Sequence, residues 1–351
     1  AEAAPIKYPM AGMTSHIVKL HVYDIAAGTD VTMQTGEPED HYLTAITWNN
    51  DNEKVYIGIL NRGQDSLSFN EYNALNGEFN KVIFHDEDEQ YVEPQGPAHF
   101  LPGSTTEFIW LAQRDGYYHL WLHNTNTLKA KQIEKGDYVV TAFEGFDGKG
   151  NAYYTSTEES PLQRHFYKVN IKNGKKTKIT SQHGTHNVVP SKSGKFFLDY
   201  YSSTDVASAV DIQDDKGREF ERLYTADDPL KDYNIGTIEL GELKSEDGQT
   251  LYTRLIKPYN FDPNKKYPVM YILHGIGGDE NSMVNGMGVQ ELLTGLIASG
   301  KAEEMIVVLP SQFTSKNGAQ GGFGINQETC AAYDNFLYDI SDSLIPFIEA
   351  N

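Results

Sequence analysis

Residues 267–278 read Tyr-Pro-Val-Met-Tyr-Ile-Leu-His-Gly-Ile-Gly-Gly. Val269 to Leu273 are apolar or aromatic without alternation, the pattern of a short strand buried on both faces. His274, Gly275, Ile276, Gly277 and Gly278 follow at once. A glycine-rich turn at the carboxyl end of a buried strand leaves backbone N–H groups free to face a ligand, and a developing oxyanion is one such ligand. A plain glycine turn between strand and helix is the competing reading.

Downstream, the apolar period lengthens to that of a helix. Val289, Leu292, Leu293, Leu296 and Ile297 fall on one face, and Gly300 is placed to end the helix. Met305–Pro310 reads as a second buried strand. A Gly-, Ser- and Asn-rich loop runs to Gln327, and Tyr333, Phe336, Leu337, Ile340, Leu344 and Ile348 predict a long amphipathic helix. Strand, helix, strand, helix implies a parallel sheet. Upstream, Thr237–Lys257 predicts a hairpin turning at Glu246-Asp247-Gly248, followed by a polar linker from Pro258 to Lys266.

Earlier still, a repeat is visible. Strand–turn–strand units occupy 16–35, 66–84, 117–133, 164–180 and 207–225, with turns built on Ala-Gly, Asn-Gly, Asn-Thr, Asn-Gly and Lys-Gly. Tyr23, Tyr72, Trp121 and Tyr167 hold like places, 49, 49 and 46 residues apart. A second hairpin alternates with the first at 43–60, 98–113, 141–157 and 186–203. Two hairpins in every ~45–50 residues are the four strands of a propeller blade. The expected fold is thus a partial β-propeller of four to five blades over 1–235, then the N-terminal part of an α/β-hydrolase domain over 236–351.

Composition narrows the functions. Aromatic residues make up 12% of the 351, with 22 Tyr and 16 Phe, which suits a β-rich chain. A net charge of −20 argues against nucleic acid and anionic membrane as partners. Asp86-Glu87-Asp88-Glu89 is the one dense acidic run and reads as a solvated loop, because the spaced pattern of a calcium loop is missing. Cys330 stands alone, so no intrachain disulfide forms. No apolar run approaches the ~18 residues of a membrane span. The chain opens AEAAPIKYPM, without initiator Met or signal peptide, which fits a mature form or an internal piece.

Several phrases resemble the dipeptidyl peptidase IV branch of the prolyl oligopeptidase family, its bacterial members especially: YPMAG (8–12), YVEPQGPAHFLP (91–102), QRDGYYHL (113–120), YYTSTEESPLQRHFYKVN (153–170), TADDPLKDY (225–233) and LIKPYNFDPNKKYPV (255–269). That resemblance, over about residues 6–267, implies a propeller above an α/β-hydrolase domain that releases N-terminal dipeptides after a penultimate proline. It also implies periplasmic or secreted location and a homodimer through the hydrolase domain. It places Tyr91, Val92 and Glu93 on the rim of an extended substrate pocket; an ordinary inter-blade loop is the alternative there.

The chain departs from that family in three places. The early blades are missing, including the Glu-Glu pair that holds a substrate's amino terminus. The family's oxyanion-stabilising Tyr falls at His274. From about Tyr267 the residues resemble the esterase D and feruloyl esterase group instead, through HGIGGDENSM (274–283), SGKAEEMIVVLP (299–310) and ETCAAYDNFLYDISDSLIPFIEAN (328–351). That group implies an oxyanion hole on the Ile276 N–H, flanked by Gly275 and Gly277, with His274 beside the substrate.

No Gly-x-Ser-x-Gly pentapeptide occurs in the 351 residues. An acyl-transfer hydrolase needs a Ser on a sharp elbow, a His to take its proton and a carboxylate to orient that His. Chain order in this fold is Ser, acid, His, so all three are expected beyond Asn351; a fragment, a chimera and a mis-assigned sequence account for this equally. His274 precedes the nucleophile, which is the wrong order for a general base. His183 and His186 have the spacing of a metal pair but no third ligand, and read as loop residues, so neither metal nor cofactor is expected. Arg114-Asp115-Gly116 reads as a structural turn with an ion pair. The leading expectation is a serine peptidase acting on short peptides. An ester hydrolase and a propeller-based binding module without catalysis are the alternatives. With open sheet edges the isolated chain is expected to express poorly.

Overall fold

The computed structural model describes residues 13–233, 235–244, 248, 250–257, 259–275, 278–312 and 327–350. The chain divides into two compact units, Ala1–Pro229 and Leu230–Asn351.

The first unit is a series of antiparallel sheets met in chain order. It starts with a hairpin of β1 (His21–Asp24) and β2 (Thr29–Thr32). Among the described residues four four-stranded sheets follow. The first holds β3 (Tyr42–Trp48), β4 (Lys54–Leu60), β5 (Ser66–Asn73) and β6 (Phe79–Glu87). The second holds β7 (His99–Phe100), β8 (Glu107–Gln113), β9 (Tyr118–Asn124) and β10 (Lys129–Gln132). The third holds β11 (Val140–Phe146), β12 (Asn151–Ser156), β13 (His165–Asn170) and β14 (Lys176–Lys178). The fourth holds β15 (Thr185–Pro190), β16 (Phe196–Ser202), β17 (Ala209–Asp214) and β18 (Glu219–Thr225). Every hairpin expected from the repeat is present, and strands within each sheet pair in sequence order.

The core lies between sheets. Tyr56, Phe69 and Leu67 of the first sheet pack on Phe100, Phe108 and Trp110 of the second. Ile109 and Leu120 of the second pack with Val140, Ala152 and Tyr154 of the third. Tyr153 and Phe166 of the third meet Val188 and Phe197 of the fourth. Phe69 is fully buried, with ring centroids 5.0 Å from Trp110 and 5.6 Å from Phe108. Adjacent residues of β8 serve opposite interfaces: Phe108 and Trp110 face back, Ile109 faces forward. That is the strand's two-residue period burying both faces.

Polar groups tie the same interfaces. Asp86 and Glu87 belong to β6, so the acidic run is half strand, contrary to the solvated-loop expectation. Asp86 accepts two hydrogen bonds from Arg114, at 2.7 and 3.0 Å. The Arg114 guanidinium sits 5.0 Å from the Phe84 ring and 5.1 Å from the Trp121 ring, and donates to His123 Nε2 at 3.0 Å. Its partner is therefore a neighbouring sheet's carboxylate, while Asp115 pairs with His119 at 2.9 Å. A guanidinium can lie over aromatic rings and still make two hydrogen bonds to one carboxylate, which an ammonium cannot match.

The hairpin turns share a device. Gly28, Gly77, Gly174 and Gly217 all have φ between 68° and 76°. A Cβ on Gly77 would lie 2.1 Å from the Thr32 carbonyl oxygen, and one on Gly217 would lie 1.9 Å from that of Ile179. The turns at Gly77, Gly174 and Gly217 press on backbone carbonyls of the preceding hairpin, so they need glycine twice over, for conformation and for space. The turn after β9 has Leu128 at φ 56°, half exposed. Tyr23 differs from its repeat equivalents: it is 62% exposed, while Tyr72 and Tyr167 are buried. Val22 and Val31 take the packed face of that hairpin instead.

In the second unit β19 (Thr237–Lys244) and β20 (Thr250–Lys257) form the expected hairpin. β21 (Val269–Tyr271) and β22 (Ile306–Val308) pair in parallel across α1 (Val289–Ala298). Gly300, at φ 67°, follows α1 as expected, but Leu292 points outward at 59% exposure. The final helix is α2 (Gln327–Asp339), a π-helical turn at Ile340–Leu344, and α3 (Ile345–Ala350). Ala332 and Phe336 are its buried contacts; Leu337 is 61% exposed, which corrects the expected face.

Two outcomes test this account. Leu128→Gly relieves a left-handed side-chain conformation worth about 1–2 kcal/mol, less about 0.5–1 kcal/mol of glycine entropy, so denaturation should show equal or higher stability. Gly77→Ala should lower it. The second test uses His123, which burial first and the Arg114 charge second push down to about 3. A histidine depressed in the folded state favours folding above its unfolded value of ~6.5 and loses that contribution as pH falls towards 3. Stability should therefore drop below about pH 6.5 by up to about 1.4 kcal/mol per pH unit per proton, and His123→Gln should flatten that slope.

Candidate functional site

β21 and β22 are parallel, so both run out at the same sheet edge. The carboxyl edge of parallel strands is where α/β folds place ligands. His274 follows β21 closely and Gln312 follows β22, and the two loops meet there.

His274 is 5% exposed and Gln312 7%. The Gln312 backbone N–H donates to His274 Nε2 at 3.1 Å, which leaves the ring proton on Nδ1. Nδ1 in turn donates to the Gly275 carbonyl at 3.0 Å. The Gln312 side-chain amide donates to the His274 carbonyl oxygen. The ring also meets Tyr333 edge-on, centroids 6.5 Å apart, and so bridges β21's loop to α2. With both nitrogens engaged, the imidazole is held as a wedge that sets the course of the chain after the strand. A base for a remote serine would need Nε2 accessible.

The Gly278 N–H donates to the Gly275 carbonyl at 3.0 Å, closing the turn. Asp279 then caps the following turn. Its Oδ1 accepts from the Ser282 N–H and hydroxyl, both at 2.9 Å, while Ser282 Oγ accepts from the Asp279 N–H at 2.9 Å. This reciprocal capping holds the Asp279 carboxyl below the usual carboxylate range, with the Ser282 hydrogen bond as the largest cause. The Gly-Gly-Asp-x-x-Ser phrase carried that signal in the sequence. Of the oxyanion residues expected here, Gly275 is described; Ile276 and Gly277 lie outside the described residues.

The second expected region is the extended strip that follows β6. Tyr91 is 58% exposed, and Val92 packs against the first interface core. The Val92 N–H donates to the Gln64 carbonyl at 2.7 Å. The Glu93 carboxylate is exposed and accepts from the Tyr118 hydroxyl at 3.2 Å and the Gln95 amide at 3.2 Å. Burial first and the Glu93 charge second push the Tyr118 phenol up to about 12, so it stays a donor. Tyr91 and Glu93 are therefore both exposed, while Val92 between them anchors the segment.

His186 is no metal ligand. It is buried, with Nδ1 2.8 Å from Asp199 Oδ2 and Nε2 2.8 Å from the Gln182 carbonyl oxygen. It lies in β15, not a loop, which corrects the expectation. Burial first pushes the neighbouring His165 down to about 4, with rings 5.1 Å apart. No group of three metal-ligating side chains comes together among the described residues. No helix among them is long and apolar enough to cross a membrane.

A series of four-stranded antiparallel sheets followed by a parallel strand–helix–strand unit defines a chain of two structural classes joined in sequence. Residues 1–208 match the family model "Dipeptidyl peptidase IV (DPP IV) N-terminal region", and the chain belongs to that family. Residues 247–351 match a second model, described as "Putative esterase". Among solved structures, a "putative dipeptidyl aminopeptidase IV" from Bacteroides ovatus is 36% identical at a TM-score of 0.72, covering 79% of this chain and 42% of that one. Dipeptidyl peptidase 4 of Porphyromonas gingivalis is 26% identical at a TM-score of 0.70, covering 78% and 39%. The dipeptidyl peptidase 4 of Arthroderma otae is 23% identical over 282 residues, which is 77% of this chain and 36% of that protein. The chain thus spans about a third of that curated relative's length.

His274→Phe keeps the ring and removes the acceptor, leaving the buried Gln312 N–H without its partner at a cost of about 1–3 kcal/mol. Hydrogen exchange should quicken selectively at Ile272–Gly275 and Ser311–Gln312, with Tyr42–Phe100 unchanged. Unchanged exchange at both loops would contradict the wedge role.

Proposed function

We propose that the chain is part of a serine hydrolase that releases N-terminal dipeptides, with the strand series forming an arc of a β-propeller and residues 236–351 the opening of an α/β-hydrolase domain. The observation that carries this is the match of residues 1–208 to the N-terminal region of dipeptidyl peptidase IV. In this reading the Ile276 N–H, flanked by Gly275 and Gly277, polarises the scissile carbonyl, and His274 positions that turn. Tyr91, Val92 and Glu93 border the peptide, where the Glu93 carboxylate favours a cationic residue over an anionic one. The nucleophilic Ser, its acid and its base lie outside these 351 residues, and cleavage follows a penultimate proline.

A second reading is a carboxylic ester hydrolase acting on feruloyl or acetyl esters. The match of residues 247–351 to an esterase model supports it. The two differ in what must approach the turn after β21, an amide between residues or an aryl-acyl ester.

Turnover of Gly-Pro-p-nitroanilide against a feruloyl ester by the natural polypeptide separates them. Peptide turnover at least a hundredfold above ester turnover is expected; ester turnover alone would overturn the peptidase reading. On the 351-residue chain a fluorophosphonate should label no serine, and a covalent adduct on any Ser would refute the stated placement of the nucleophile.

A further inference from the structure

The cores between sheets are rich in aromatic rings. Between the second and third four-stranded sheets lies a cavity of about 270 Å³. Its walls include Gln95, His99, Leu111, Thr141, Ala142 and Phe143. At about 30 Å³ per water molecule it could hold roughly nine waters, or one ring system with a substituent.

One wall is aromatic. The His99 ring of β7 lies against the Phe143 ring of β11, centroids 4.3 Å apart at 33°. No described residue bonds either nitrogen of that imidazole, although burial holds its pKa below the ordinary value and so keeps it neutral at neutral pH. A neutral imidazole has one nitrogen lone pair ready to accept. Thr141 uses its hydroxyl proton on the Thr155 carbonyl at 3.2 Å, which leaves lone pairs to accept as well. Gln95 uses its amide N–H groups on Glu93, at 3.2 and 3.3 Å, so its carbonyl is the remaining polar end. The lining therefore holds more acceptors than donors, and no charged side chain. Leu111 and Ala142 supply apolar contact.

We propose that this cavity is a binding site for a neutral aromatic ring bearing one hydrogen-bond donor, a phenol or an indole. The paired imidazole and phenyl rings in the lining favour an aromatic ligand. The absence of lining charge selects a neutral one, and the accepting nitrogen of His99 selects a donor substituent. Such a ring comes either as a free small molecule or as a tyrosine or tryptophan side chain, and the chemistry is common to both. The site belongs to the first unit and does not depend on the peptidase reading.

Binding to the whole protein tests it by saturation-transfer NMR and calorimetry, with p-cresol as the free form and N-acetyl-tyrosinamide as the chain-borne form. Saturable p-cresol binding is expected, with toluene at least tenfold weaker because it lacks the donor. Ala142→Phe should abolish binding by filling the cavity, and His99→Phe should weaken it about tenfold while keeping the ring wall. Binding of both probes identifies a peptide-borne ring as ligand, and binding of p-cresol alone a free one. No saturable binding of either probe overturns the proposal, as does toluene binding equal to p-cresol. So does unchanged affinity in a folded Ala142→Phe protein. Should that variant misfold, the toluene comparison and His99→Phe decide the matter.

Discussion

Face-to-face burial of aromatic rings between successive sheets is the constraint that the first unit depends on. No single four-stranded sheet here has a core of its own. Each buries one face against the sheet before it, and the first, second and third bury their other face against the sheet after. Burying a side chain such as Phe69 or Trp110 contributes about 1.5–3 kcal/mol. Stability in such an array resides at interfaces, as in repeat proteins, where neighbours stabilise one another. The alternation of β8, with Phe108 and Trp110 to one side and Ile109 to the other, is what lets one strand serve two interfaces.

Apolar packing of this kind tolerates sliding, and the polar contacts restrict it. Arg114 lies over two rings and grips Asp86 with two hydrogen bonds, so it fixes the second sheet against the first in both depth and register. Asn50 does similar work by donating to the Leu101 and Ser104 carbonyls at 2.9 and 2.7 Å. The glycines at the hairpin turns act sterically. Their lack of a Cβ lets one turn sit on the last carbonyl of the sheet before it. Where Leu128 replaces glycine, the backbone keeps the same handedness and the side chain turns to solvent.

The second unit uses another logic. Two parallel strands cannot be joined by a tight turn, so a helix crosses between them and both strands end at one edge. The loops that leave that edge are rich in glycine on one side and anchored on a buried histidine. His274 occupies a place where a catalytic role is tempting. Its hydrogen bonds to Gln312 and Gly275 instead make it a spacer that ties two loops and α2 together. A rigid spacer of this sort suits backbone N–H groups that must be aimed in advance at developing charge.

Much of this was legible in the sequence. The hairpins from 16 to 225 were readable from their Asn-Gly and Ala-Gly turns, because turn chemistry is local and the chain repeats it. The parallel strands at Val269 and Ile306 were readable from their unbroken apolar runs, but the expectation that they are buried on both faces is corrected: Met270 is 39% exposed and the other strand residues are half-buried. Other features came only from the tertiary structure. Asp86 looked like part of a solvated acidic loop, since nothing near it in the chain reveals an arginine 28 residues later on the adjoining sheet. His186 looked like a loop residue, but it lies in β15 and its partner Asp199 sits across a strand pairing. Tyr23 shared its spacing with Tyr72 and Tyr167 but not their burial, because spacing sets position within a hairpin and only the neighbouring sheet decides whether that position is covered. Short-range chemistry wrote the elements. Contacts between residues far apart in the chain decided which charges are paired, which rings are buried and which nitrogens of a histidine remain available.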